Sequence, residues 1–143
     1  MSNLDYNMSF STFCAKSNLK LIRDFVSSNL RQNHVQDKDC HMITLAVDEI
    51  CTNSIIHGNR ENIKNCVDVM IKVNPVEVII EIVDKGISFD YTKFKEKSLD
   101  QLVKEKSKGS MGIMLVKRIM DKIEYVNESN KNVCRMVKTI SVM

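Results

Sequence analysis

The chain has 143 residues, 43% of them hydrophobic and 27% charged, with a formal net charge of +3. That is the size and composition of one globular domain able to bury its own core, 1–143, and the charge is too small to argue for nucleic acid. There is no run of 18 apolar residues to span a membrane and no basic-then-apolar leader layout at the N-terminus, so the expected location is the cytoplasm. Five cysteines, Cys14, Cys40, Cys51, Cys66 and Cys134, form no CxxC pair, are odd in number and fall mostly in apolar-patterned segments. They are read as reduced, buried thiols in preference to disulfides or a zinc site.

In chain order, residues 4–10 read as a short first strand. Residues 17–30 carry Leu19, Ile22, Phe25, Val26 and Leu30 at helical spacing, and a second helix is expected over about 38–57, ended by Gly58 and Asn59. Two strands follow: Val67, Val69, Ile71 and Val73 alternate with polar or larger residues, as do Val76, Val78, Ile80 and Ile82, with Asn74-Pro75 as the turn. Helical spacing resumes over 113–120, and 122–127 with 132–140 reads as a closing hairpin. Residues 88–108, with six lysines and four acidic residues, are too long for an ordinary connection. They are either a mobile lid over a ligand or a solvated charged helix.

Only four glycines occur, Gly58, Gly86, Gly109 and Gly112, where average usage would supply roughly 7%. All four stand in three blocks that also hold the most unusual polar residues. In the first block, Glu49, Asn53 and His57 lie at i, i+4 and i+8, about 40° apart along one stripe of a helix. Met42, Leu45, Ala46 and Ile56 share that stripe, and Val47, Cys51 and Ile55 make the other side apolar. A carboxylate and an amide so placed must be paired or must hold something. Each alone is as well explained as a satisfied structural residue, whereas the oxygen pair Glu49 and Asn53 suits Mg²⁺. Zinc is disfavoured, since no second nitrogen or sulfur is spaced to join His57.

In the second block Asp84 ends an apolar strand and Gly86 lets the chain turn beside it. This is either a plain strand-end turn or an acceptor for a ligand amine. In the third, Gly109-Ser110-Met111-Gly112 opens a helix, where backbone N–H groups can close on an anion. It is neither a Walker A loop nor a dinucleotide fingerprint, and a glycine cap on a core helix accounts for it equally well. The methionines Met111, Met114 and Met120 are expected to pack in the core.

Taken in order, the blocks resemble the GHKL superfamily of ATP-binding proteins: Glu49, Asn53 and His57 fit its N box, Asp84 and Gly86 its first glycine box, and Gly109 and Gly112 its second. Within it, Leu45-Ala-Val-Asp-Glu-Ile-Cys-Thr-Asn-Ser-Ile-Ile-His-Gly58 and Gly109-Ser-Met-Gly-Ile-Met-Leu-Val-Lys-Arg-Ile-Met-Asp121 resemble the bacterial anti-sigma-factor serine kinases. The likeness runs over about 10–140.

That resemblance implies an α/β (α+β) two-layer sandwich of the Bergerat ATPase type, a mixed, mainly antiparallel sheet with helices on one face. It implies ATP and Mg²⁺ as cofactors, Glu49 as general base, Asn53 as metal ligand, Asp84 as acceptor for the adenine amine and Gly86 as a wall of the adenine pocket. Ile87, Lys108, Gly109, Ser110, Met111, Gly112 and Ile113 would line the nucleotide, with the 88–108 segment as lid, and His57 matches a family position without an assigned role.

Ser88 stands where many members carry a second glycine or another small residue, and the lid has lysines but no arginine. One of Lys93, Lys95, Lys97, Lys104, Lys106 or Lys108 is then the candidate to neutralise the transferring phosphate. The implied activity is phosphorylation of a serine on an anti-sigma-factor antagonist. A sigma factor or other regulator is a further partner, a homodimer the expected assembly, and no contact with nucleic acid or membrane is expected. The rival is a non-catalytic module that sequesters a partner with or without nucleotide. A histidine-kinase catalytic domain is disfavoured because His34 and His41 stand in no phosphoacceptor context. A gyrase-like or mismatch-repair ATPase is disfavoured because those couple ATP to further domains.

Overall fold

The computed structural model of the chain describes residues 6, 8–86 and 110–140, with Ser110 and Met111 described by their backbone alone. The elements run β1 (Met8–Phe13), α1 (Leu19–Gln32), α2 (Asp37–Thr52), a π-helical turn (Asn53–Gly58), β2 (Cys66–Val73), β3 (Glu77–Asp84), α3 (Ser110–Ile119), β4 (Lys122–Glu128) and β5 (Lys131–Thr139). The five strands form one sheet in the order β1-β2-β3-β5-β4. Every pairing is antiparallel, so the parallel component expected of the sheet is not found among the described strands.

Alternation sets which side of the sheet meets the helices. Val67, Val69 and Ile71 of β2 and Val78, Ile80 and Ile82 of β3 are buried, and the register places Val69 opposite Ile82 and Ile71 opposite Ile80. Cys134 and Met136 of β5 continue this face through Ile82 and Ile80. From α1 it receives Ile22, Val26 and Leu30, and from α2 Ile43, Ala46, Val47 and Ile50; Val116 of α3 completes one core. The Phe10 and Phe25 rings stack 5.3 Å apart where β1 meets α1. The layers are therefore a helical layer on one face of an antiparallel sheet, the α/β sandwich expected from the sequence.

Asn74 makes the β2–β3 turn by accepting from the Val76 and Glu77 amides through its side-chain oxygen. Ser129 and Asn130 close the β4–β5 hairpin with φ of 52° and 64°, a two-residue turn tighter than the four residues left between the expected strands. Two expectations shift. β1, described from Met8, runs past residue 10 to Phe13, because its register against β2 continues to Phe13 opposite Cys66, whereas residues 4, 5 and 7 of the expected strand lie outside the described residues. The second helix keeps α-geometry only to Thr52, and its last six residues widen into the π turn.

Candidate functional site

Glu49 sits on α2, half-buried, with its carboxylate against the first turn of α3: a Cβ at Gly112 would stand 2.8 Å from Glu49 Cδ. Burial pushes its carboxyl above the ordinary carboxylate range, and the neighbouring Asp48 charge adds to the shift. Asp48 is itself engaged across the helix pair by Arg23, Nη1 to Oδ1 at 3.0 Å. Among the described residues Glu49 has no hydrogen bond or ion pair, which leaves its oxygens free for a proton or a cation.

Asn53, one α-helical turn on, opens the π turn and is half-buried. Its side-chain amide likewise has no hydrogen bond among the described residues. His57 lies in the π turn and is exposed. The unbroken stripe of three expected from α-helical spacing is thus corrected, since the wider turn intervenes after Asn53. Glu49 and Asn53 stay together, and His57 looks to solvent.

Asp84 ends β3 at the centre of a polar network. Its Oδ1 accepts from the Gly86 amide at 2.7 Å, from Asn132 Nδ2 at 3.0 Å and from Asn59 Nδ2 at 3.4 Å. Its Oδ2 has no hydrogen bond among the described residues, and the residue is partly exposed. Gly86 is needed for a different reason than a turn alone. A Cβ there would fall 2.6 Å from the Gly58 carbonyl carbon and 2.7 Å from Asn59 Nδ2, so the end of the π turn packs onto the Gly86 backbone. Through this contact the first two blocks of the sequence become one wall.

Ile113 is buried in the core at 2% exposure and contributes packing, not a polar contact. Ser110, Met111 and Gly112 form the first turn of α3, whose backbone N–H groups lack intrahelical partners and favour an anion. Ile87, Lys108, Gly109 and the 88–108 segment lie outside the described residues.

Two site residues escaped sequence reasoning. Asn59, read as a helix terminator, is 5% exposed and donates Nδ2 to the Ser54 carbonyl at 2.7 Å while Asn65 donates to its Oδ1. Asn132, read only as the start of a strand, is 4% exposed and joins Asp84 to the hairpin. A signal for it existed: Asn132, Cys134 and Met136 alternate, so an amide stands at a core-facing position where burial demands a partner.

The donor set fits a magnesium nucleotide. Asn53 and Glu49 offer hard oxygens of the kind Mg²⁺ prefers, and among the described residues no cluster of three acidic, His or Cys side chains makes a self-sufficient metal site. Asp84 offers one open carboxylate oxygen to an N–H donor.

Comparison with known proteins identifies the family and the relatives of this fold. The profile of the histidine kinase-like ATPase domain matches residues 14–138. The anti-sigma F factor of Clostridium beijerinckii is 26% identical over 134 residues, 94% of this chain and 94% of that protein. The serine-protein kinase RsbW of Staphylococcus aureus is 28% identical over 116 residues, 78% of this chain and 73% of that one. Two solved structures share the fold at 11% identity. They are the RsbU and RsbW domains of Rv1364c from Mycobacterium tuberculosis, with a TM-score of 0.67, and the SiaB–SiaC complex from Pseudomonas aeruginosa, with 0.62. The likeness covers 93% and 97% of this chain; it spans 32% of the first structure's chain and all of the second's.

Proposed function

The chain belongs to the histidine kinase-like ATPase domain family, and on that premise we propose that it is an anti-sigma-type serine kinase that binds Mg-ATP and phosphorylates a serine on an antagonist protein. The observation that carries the reading is the Glu49 carboxylate. It is half-buried, unpaired among the described residues, shifted toward higher pKa, and set against the glycine of the helix turn best suited to phosphate. A carboxyl held above its ordinary range is a stronger proton acceptor than an exposed one.

In this reading Asp84 Oδ2 accepts from the adenine amine, and Gly86, packed against Gly58 and the Asn59 side chain, keeps the wall of the adenine pocket in place. The first turn of α3 faces the phosphates, and Asn53 holds the metal through its amide oxygen. Mg²⁺, when bound, supplies charge neutralisation for the transferring phosphoryl group. Glu49 takes the proton from the incoming serine hydroxyl as its oxygen bonds to the γ-phosphorus and the bond to ADP breaks. The names of the relatives, an anti-sigma F factor and a serine-protein kinase, support a partner-switching role. There the phosphorylated antagonist lets go, and the kinase holds a sigma factor or another regulator instead, acting as a homodimer in the cytoplasm.

The test is transfer of labelled phosphate from ATP to a candidate antagonist. Glu49→Ala should abolish transfer and leave calorimetric binding of Mg-ATP largely intact. Undiminished transfer by that variant would remove Glu49 from the chemistry. Binding without transfer in the wild type would favour the non-catalytic switch.

A further inference from the structure

Asn132 of β5 stands directly opposite Asp84 of β3 in the sheet register and is 4% exposed. Its Nδ2 donates twice, to Asp84 Oδ1 at 3.0 Å and to the Gly86 carbonyl at 2.7 Å. Its Oδ1 accepts from the Tyr125 hydroxyl and from Asn127 Nδ2, both at 2.8 Å. The two acceptors on one side of the amide, a carboxylate oxygen and a backbone carbonyl, fix which way it points: its NH₂ faces Asp84 and Gly86. All the polar atoms of a buried side chain are thereby used, and its two hydrogens both go to the pair that the base would meet.

We infer that Asn132 is a positioning residue that sets base selectivity: it saturates Oδ1 of Asp84, pins the Gly86 carbonyl and leaves Asp84 Oδ2 as the one acceptor turned to a base amine. This rests on the reading of Asp84 as the base acceptor. Asn59 supports the same oxygen from the other side at the longer distance of 3.4 Å, so Asp84 is held between an amide from the hairpin and an amide from the π turn. The hairpin β4–β5 thus acts on the base through two hydrogen bonds.

The experiment titrates the purified chain with Mg-ATP and with the triphosphate of purine riboside, which lacks only the amino group, at about pH 6 and about pH 8. Asn132→Asp keeps the shape but sets a second carboxylate beside Asp84. At the higher pH both ionise and repel; at the lower pH the pair shares a proton, and that proton restores a donor on residue 132. Among the described residues, the titratable groups near Asp84 are the Cys14 thiol after β1 and the Cys51 thiol of α2, both of which feel its charge, with the Tyr125 hydroxyl behind Asn132 and Lys85 next in the chain. Burial pushes both thiols up, Cys14 to about 11, so neither titrates in this range.

The expected result for Asn132→Asp is an ATP affinity roughly tenfold or more below wild type at the higher pH and largely recovered at the lower, with a reduced preference for ATP over the purine analogue. If that variant does not fold, Tyr125→Phe carries the test, because it keeps the buried amide but removes one of the groups that orient it. It should lose a smaller factor, roughly two- to fivefold, again more for ATP than for the analogue. Wild-type affinity and preference in these variants, or an equal loss for both nucleotides with no pH dependence, would overturn the inference. An Asp84→Asn protein that binds ATP like wild type would instead overturn the reading of Asp84 on which it rests.

Discussion

Gly112 leaves to Glu49 the space that its own side chain would fill, since a Cβ there would lie 2.8 Å from the Glu49 Cδ. The clash is with the end of a flexible side chain, so the fold can absorb it by moving the carboxylate. Gly112→Ala should therefore keep or raise stability, by up to about 1 kcal/mol from the better helix former. Phosphate transfer should fall by roughly 100-fold from misplacement of the base. Thermal melting and transfer assays on one preparation check both signs; a variant that is as active as wild type would show that Glu49 tolerates the move.

Gly86→Ala presents the opposite case, because the obstruction is backbone. The added carbon would meet the Gly58 carbonyl carbon at 2.6 Å and its oxygen at 2.7 Å, along with Asn59 Nδ2. The π turn must shift away from the end of β3, at a cost of about 1–3 kcal/mol in stability. Nucleotide binding should drop with it. Denaturant unfolding and an ATP titration measure the two effects, and unchanged stability would mean that the two segments are not in this contact.

Glu49 can act as a base only when deprotonated, and burial followed by the Asp48 charge holds its carboxyl above the ordinary range. The transfer rate should rise with pH through that raised value. Asp48→Asn should move this limb to lower pH by removing a like charge, whereas Arg23→Ala should move it higher by unmasking Asp48. The same shift carries a stability sign. A carboxyl raised in the fold contributes stability below its ordinary pKa and loses it as pH rises through the raised one. Glu49→Gln should therefore melt higher than wild type at neutral pH, with the gap closing in acid; a gap that widens in acid would contradict the direction of the shift.

Glu81 is 4% exposed on β3 and is held through Oε2 by the Tyr6 hydroxyl at 2.9 Å and Arg135 Nε at 3.4 Å. Arg135→Ala leaves the carboxylate with the hydroxyl alone, an under-compensated buried charge that should cost about 1–3 kcal/mol in denaturant unfolding. Glu81→Gln in the same background should recover part of that loss. No recovery would show that Arg135 acts by packing.

Much of this molecule could be read in advance where period-2 alternation or paired glycines carried the signal. β2 and β3 announced themselves through Val67, Val69, Ile71, Val78, Ile80 and Ile82, and their turn through Asn74. What could not be read depended on partners distant in the chain. Alternation marks Asn132 as an amide at a core-facing position, but its partner is known only once β5 is placed against β3, 48 residues apart at the Asp84 bond. At the end of the π turn Asn59 donates back to the Ser54 carbonyl and across to Asp84, contacts that helical spacing cannot foresee. The end of β1 lies beyond the expected residue 10 because register against β2, not local propensity, carries it to Phe13.

The cysteines offer a check on the whole fold that needs no ligand. Cys14, Cys40, Cys51 and Cys134 are each at most 3% exposed, while Cys66 is exposed at the start of β2, opposite Phe13. Burial raises the thiol pKa at Cys14 to about 11 and moves Cys40 and Cys51 in the same direction. The reactive species is the thiolate, so buried groups held protonated should be inert on two counts. An aromatic disulfide reagent should therefore label one thiol quickly in the native protein and all five after unfolding, and Cys66→Ser should abolish the fast phase. Fast labelling of two or more would mean that the helical layer opens readily over the sheet. No fast labelling would mean that Cys66 is covered or oxidised in solution, and reduction before labelling separates those two cases.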